Sequence, residues 1–295
     1  MPANVKIDFY TVEVPGGSRP FERVVMDDAK TDDDETRNCT IGTCPVRLQR
    51  ALQDDRVGVV EGDALRIQME DIPPKAKLAG KVSNIPLASD EGIAGETAFL
   101  YQPFTKVLAI QRNRIGVSAK SLAHYFTTKA HLGTPITLAP VIQQDAMRRL
   151  VRMKETRKLR VRFAGITNAT FFRDNDKSLN DMIDVIEEFK APSATFELSM
   201  GHQPGTLSVQ RVVAFVRKAV NLHSDGSGGV STIEVSGVLD DDTRDVFDLL
   251  SYRMVEVVAV QETKTTRRSP YANRRNELRQ AWERRRTELE AMFGV

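Results

Sequence analysis

Apolar positions recur along this chain with two different periods, and the period decides which element each stretch predicts. "VKIDFYTVEV", rich in Val, Ile, Phe and Tyr, reads as a strand. "DDAKTDDDETRN" is polar and acidic and reads as a loop. In "PVRLQRALQD", Val46, Leu48, Ala51 and Leu52 follow a roughly helical spacing behind Pro45, which predicts a helix opening at that proline. "RVGVVEGDALRIQMEDIPP" holds two β-rich runs around Gly62-Asp63, a predicted hairpin ended by Pro73 and Pro74. A second hairpin is predicted over "TAFLYQPFTKVLAIQRNRIGVS", turning near Gln102-Pro103. Ser118 then stands as N-cap of a helix over "AKSLAHYFTTKAHL", with Gly133 as its stop.

Beyond "TPITLAPVI", a predicted strand, Asp145 is placed to cap a short helix over "AMRRLVRM", and "RKLRVRFAG" alternates as a strand. Helix "SLNDMIDVIEEF", strand "ATFELSMG" and helix "LSVQRVVAFVRKAVNL" follow. The loop "HSDGSGG" leads to strand "VSTIEVSGVL", helix "DDTRDVFDLLS", strand "RMVEVVAVQE" and a basic terminal helix, "PYANRRNELRQAWERRRTELEAMF". The whole predicts an α+β fold, with antiparallel hairpins in the N-terminal half, alternating strands and helices in the C-terminal half, and that helix at the end. A boundary near 135–145 divides it into regions 1–140 and 141–295.

Composition adds little until it is taken by region. The 295 residues hold 42 basic and 40 acidic side chains, with 41% hydrophobic residues, as in an ordinary globular protein. Locally the signs segregate. Residues 1–95 hold 12 basic against 17 acidic, a net of −5; residues 96–173 hold 14 against 3, a net of +11. Residues 174–263 hold 7 against 16, a net of −9, and the tail from 264 holds 9 against 4, a net of +5. No run of 18 apolar residues appears, and the N-terminus lacks the basic and apolar regions of a signal peptide. A cytoplasmic protein without membrane insertion is expected.

The stretch 147–165 concentrates cations around a single acid, Glu155. In a strand, Lys158, Arg160 and Arg162 share one face while Leu159, Val161 and Phe163 share the other. In the helix before it, Met147, Leu150 and Val151 form the inward stripe and Arg148, Arg149 and Arg152 point out together, with Lys154 and Arg157 following. Arg112, Arg114 and Lys120 belong to the same net-positive segment. In the terminal helix, Arg274, Arg275, Arg279 and Arg284 to Arg286 surround an apolar line of Leu278, Trp282 and Leu289. That line suits either a packing anchor or a contact between paired subunits. Any one arginine could belong to a solvated face neutralised by the acidic 174–263 segment. Together the cations suit phosphate, which Arg grips bidentately and which rewards counterion release. The expected partner is nucleic acid, duplex DNA above RNA, bound with little base specificity by Arg112, Arg114, Lys120, the 148–162 cations, Arg274, Arg275 and Arg279.

Catalytic, cofactor and metal chemistry finds no foothold in the sequence. Cys39 and Cys44 lack a second pair at zinc spacing and read as two ordinary thiols. The four histidines are scattered. Asp174 and Asp176 open like a calcium loop, but no glycine or terminal glutamate follows at the required offsets. "GSGG" lacks the Lys-Ser/Thr of a phosphate-binding loop. Asp63, Glu70 and Lys75 fit a nuclease acid set poorly. The expectation is a protein that is not an enzyme and carries no cofactor.

Three stretches, "AFLYQPFTKVLAIQRNRIGVSAKSLAHYFT", "KLRVRFAGITN" and "STIEVSGVLDDDTRDVFDLLSYRM", together resemble the RexA-like phage exclusion family in pattern, from about residue 97 onward. The resemblance implies a dimeric, largely sequence-independent DNA binder in phage exclusion or anti-phage defence; a second defence-system protein is a further expected partner. Two alternatives stand beside it. One is a protein-interaction subunit whose basic patch docks an acidic protein surface, and the other is a metal-dependent nuclease.

Overall fold

The computed structural model describes residues 4–31, 33–164, 177–222, 229–260 and 269–294. It has the mixed α+β architecture expected, with its registered strand pairs antiparallel. The backbone divides into two compact units. The first comprises Met1–Asp8, Val12–Thr137 and Glu256–Val295, the second Phe9–Thr11 and Leu138–Val255. The chain therefore leaves the first unit after Thr137 and rejoins it at Glu256, a return that the expected regions 1–140 and 141–295 lacked.

The first unit runs β1 (Asn4–Glu13), α1 (Phe21–Ala29), α2 (Asp34–Arg37), β2 (Cys39–Ile41), β3 (Cys44–Asp54) and β4 (Val59–Gln68). A small ribbon, β5 (Lys75–Ala76) and β6 (Val82–Ser83), precedes β7 (Ile93–Gln102), β8 (Val107–Gln111) and α3 (Ala119–Lys129). β9 (Thr137–Pro140) begins at the last residue of the Val12–Thr137 segment, and in the second unit lie α4 (Gln144–Val151), β10 (Met153–Ala164), α5 (Lys177–Glu188), β11 (Ser193–Ser199) and α6 (Val209–Asn221). They are followed by β12 (Gly229–Leu239), β13 (Arg244–Asp248) and a 3-10 turn, Leu249–Tyr252. β14 (Val255–Ala259) and α7 (Tyr271–Phe293) end the chain. The large sheet has the order β14-β1-β8-β7-β4-β3-β2.

Alternation along β4 and β7 gives the large sheet two unlike faces. Gly62 pairs with Phe99, and a Cβ on Gly62 would stand 2.3 Å from the Phe99 ring. That ring meets Phe126 of α3 at 6.1 Å, and Phe126 meets Phe21 of α1 at 5.2 Å. Glu61, Asp63 and Glu96 alternate with these positions and carry carboxylates on the opposite face, toward α7. Glycine is therefore needed inside β4 by the aromatic packing, not by a turn. The turn lies earlier, where Asp54 O accepts the N–H groups of Val57 and Gly58, and Gly58 has a φ of +68°. The hairpin expected around Gly62-Asp63 is thus β3–β4.

Other expectations shift for local reasons. Residues 45–54 form a strand, because Val46 and Leu48 bury alternately against β4. The acidic stretch 27–38 is not all loop: α1 runs into it, and the Asp33 carboxylate caps α2 through Glu35 and Thr36 N–H. Ser118 caps α3 as expected. The helix stops at Lys129 and the left-handed turn follows at His131, not Gly133. Asp145 lies in the first turn of α4, whose N-cap is Gln143. "DDTRDVFDLLS" forms β13 and the 3-10 turn, with Phe247 paired to Val235. "HSDGSG", Asp174 and Asp176 lie outside the described residues.

The four-stranded sheet of the second unit has the order β11-β10-β12-β13. Leu159, Val161 and Phe163 bury with Ile233 and Val235, beneath Leu150 of α4, Ile183 of α5 and Val216 of α6. Each such side chain contributes roughly 1.5–3 kcal/mol on burial. No helix among the described residues is long and apolar enough to cross a membrane.

Candidate nucleic-acid interface

The first turns of the terminal helix direct Arg274, Arg275 and Arg279 toward the large sheet, while Arg284 and Arg286 are exposed. Leu278, Trp282 and Leu289 are buried within the first unit, so the apolar line is a packing anchor and is not left for a second copy. Arg274 is 4% exposed; its guanidinium reaches Asp63 at 2.5 Å and Glu96 at 2.9 Å, and also donates to Ser269 O. Burial pushes the Asp63 carboxyl above its usual value despite Arg274, and the Glu96 charge adds to that. Arg275 and Arg279 both bind Glu61, and Arg279 also binds Asp54 at 2.6 Å. Arg274 is thus buried, and Arg275 and Arg279 are ion-paired with side chains 30% and 34% exposed. Their charge neutralises the acidic face of the large sheet.

Arg112 is also committed, with both Nε and an Nη donating to the buried Asp8. Arg114 is exposed and forms no ion pair with another described residue. Lys120 is half-buried, and desolvation lowers its pKa.

In the second unit the cations meet acids in a different setting. Cross-strand register sets Arg160 between Glu197 and Glu234, and it binds both. Lys158 lies 3.6 Å from Glu197. Arg157 donates to the carbonyls of Gly201, Gln203 and Gly205. Arg162 is exposed, with no ion pair to another described residue. Lys154 pairs with Asp242 and Arg152 with Asp240. The Arg152 hydrogen bond holds the Asp240 carboxyl below its usual range. The Arg152 and Asp240 side chains are 61% and 52% exposed, so water and salt compete for that pair.

Three of the nominated arginines converge with one that sequence reasoning missed. A groove of about 530 Å³ is lined by Arg148, Arg149, Arg152 and Arg217, with Met147 and Val151 as apolar lining and Asp145 as the acid. Amphipathic spacing builds it: Leu150 of α4 and Val212, Val216 and Val220 of α6 go inward, leaving these arginines at the surface. Arg149 is fixed by a bidentate bond to Asp245, a bond to the Tyr252 hydroxyl and the Phe247 ring, 4.5 Å away. Arg148 is 63% exposed, with Asp145 3.8 Å away. Arg217 is exposed and has no ion pair with another described residue. Its sequence signal was present, an arginine beside a valine stripe, but it fell in the segment of net negative charge.

The remaining chemistry is sparse. Cys39 and Cys44 are free thiols. No group of three or more His, Cys, Asp or Glu among the described residues is arranged to hold a metal ion. Asp63 is buried against Arg274, while Glu70 lies exposed beyond the end of β4.

No curated protein matches the chain. One family model does, over residues 19–271, which reach from the first unit through the whole inserted span of the second to the first residue of α7. The chain belongs to a family of unknown function, DUF6731.

Proposed function

We propose that the protein binds duplex DNA with little sequence preference, gripping phosphates in the groove between α4 and α6. The observation that carries this reading is the convergence of four arginines and one acid on that groove. Arg149 is preorganised by Asp245 and Tyr252, while Arg148, Arg152 and Arg217 extend into solvent where phosphate can reach them. A phosphate displacing Asp240 from Arg152 exchanges one exposed ion pair for another and gains counterion release. A cytoplasmic homodimer in phage exclusion or anti-phage defence, with DNA binding in place of catalysis, is the setting we propose from the RexA-like resemblance.

Docking of an acidic protein surface is the second reading, favoured by the ease with which Arg152 and Lys154 already take carboxylate partners. Fluorescence anisotropy on a short duplex separates the two. Four phosphate contacts in the groove contribute about 3.6 to the fall of log K against log salt. Arg148→Ala, Arg152→Ala and Arg217→Ala together should remove about 2.7 of that slope. Absence of binding by the wild-type protein at low salt overturns the DNA reading in favour of an acidic protein partner.

A further inference from the structure

The β5–β6 ribbon forms a two-stranded sheet of its own, apart from the large sheet. From Pro73 to Ser83 and on to Asn84, each residue is exposed. Leu78, at the turn, is 111% exposed and Val82 is 63% exposed. Lys75, Lys77 and Lys81 lie along it with no acid between Asp71 and Asp90, and none of them pairs with another described residue. Twelve residues that bury nothing are a poor use of chain for stability, because ordering them costs backbone entropy without apolar return.

Local hydrogen bonds and half-buried aliphatics stand at the root of the ribbon. Ile72, Ile85 and Leu87 are half-buried at its base. Gln68 Nε2 donates to the carbonyls of Glu70 and Asp71, and Glu91 accepts the N–H of Ala88. Pro73 and Pro74 fix two successive φ angles where the chain enters β5.

We infer that this ribbon is a DNA-contacting arm that enters the major groove of a duplex; the inference rests on the DNA-binding reading above. Shape favours the major groove, because a two-stranded ribbon with side chains matches its width of about 12 Å and exceeds the roughly 6 Å of the minor groove. The three lysines meet phosphates on the groove walls. Leu78 meets the apolar feature that the groove offers, the C5-methyl of thymine.

The experiment uses the full chain, salt-titrated anisotropy, and two duplexes of one A·T-rich sequence, one with thymine and one with uracil. Lys75→Ala, Lys77→Ala and Lys81→Ala together should lower the salt slope by about 2.7, beyond what the groove contributes. The wild-type protein should prefer the thymine duplex roughly threefold, about one buried methyl, and Leu78→Ala should lose that preference. All four side chains are exposed, so the melting temperatures should be unchanged. Wild-type binding that weakens in the groove variant but keeps its slope and thymine preference in both arm variants overturns the arm and leaves the groove reading intact. No binding by any form overturns both.

Discussion

Arg274 and Arg152 each hold a carboxylate within 3 Å, yet their side chains are 5% and 61% exposed. The first belongs to the acidic face of a sheet covered by α7, and the second to the rim of a groove between α4 and α6. Similar arginine density in the sequence has therefore produced two kinds of surface. Where the acid is buried, the arginine is committed, because removing either partner strands a charge away from water. Where the acid is solvated, the arginine can exchange its carboxylate for a phosphate. Regional charge balance follows the same division. The acidic first 95 residues meet the basic tail through Asp54, Glu61 and Asp63, and the basic 148–162 stretch meets Asp240, Asp242, Asp245, Glu197 and Glu234.

The largest expected break in this comparison is Arg274→Ala. It leaves Asp63 and Glu96 facing each other under α7, and urea denaturation should show a loss of about 3–5 kcal/mol. Arg152→Ala should leave the urea midpoint where it is. Next is Gly62→Ala, which drives a methyl into the Phe99 ring on the other face of the same sheet and should cost about 1–3 kcal/mol. Tyr125→Phe should cost a similar or smaller amount, about 1–3 kcal/mol, because the hydroxyl serves Asp28, Arg37 O and Leu48 N–H together. The smallest effect is one of titration, followed by carboxyl NMR. Asp63 should titrate above 3.8 and Asp240 below it. The raised native value of Asp63 makes its contribution less favourable as pH rises from the unfolded value through the native one. Asp240 has the opposite sign: its contribution is present above the unfolded value and is lost as pH falls through its lowered native value. Equal titration at the two sites would erase the distinction between them.

Elements with one clean period were legible in the sequence. β1, β10 and β12 show it as strands, and α3 and α6 as helices, the latter through the valine stripe at Val212, Val216 and Val220. β3 was not, because its register against β4 shifts between Leu48 and Arg50 and breaks the alternation that marks a strand. Gly62 was misread because a glycine that makes room for a ring looks the same in sequence as one that makes a turn. The site divides in the same way. Arg148, Arg149 and Arg152 are visible as one outward helical face. The acids that commit Arg274 and Arg279 lie 211 and 218 residues away, and Arg217 reaches the groove from a different helix. No local pattern carries contacts of that range.

Hydrogen exchange of the full chain, with and without a saturating short duplex, tests the central contrast most directly. The account predicts slower exchange in α4 and α6 on DNA binding and unchanged exchange in α7. Slower exchange in α7, with α4 and α6 unaffected, would contradict it.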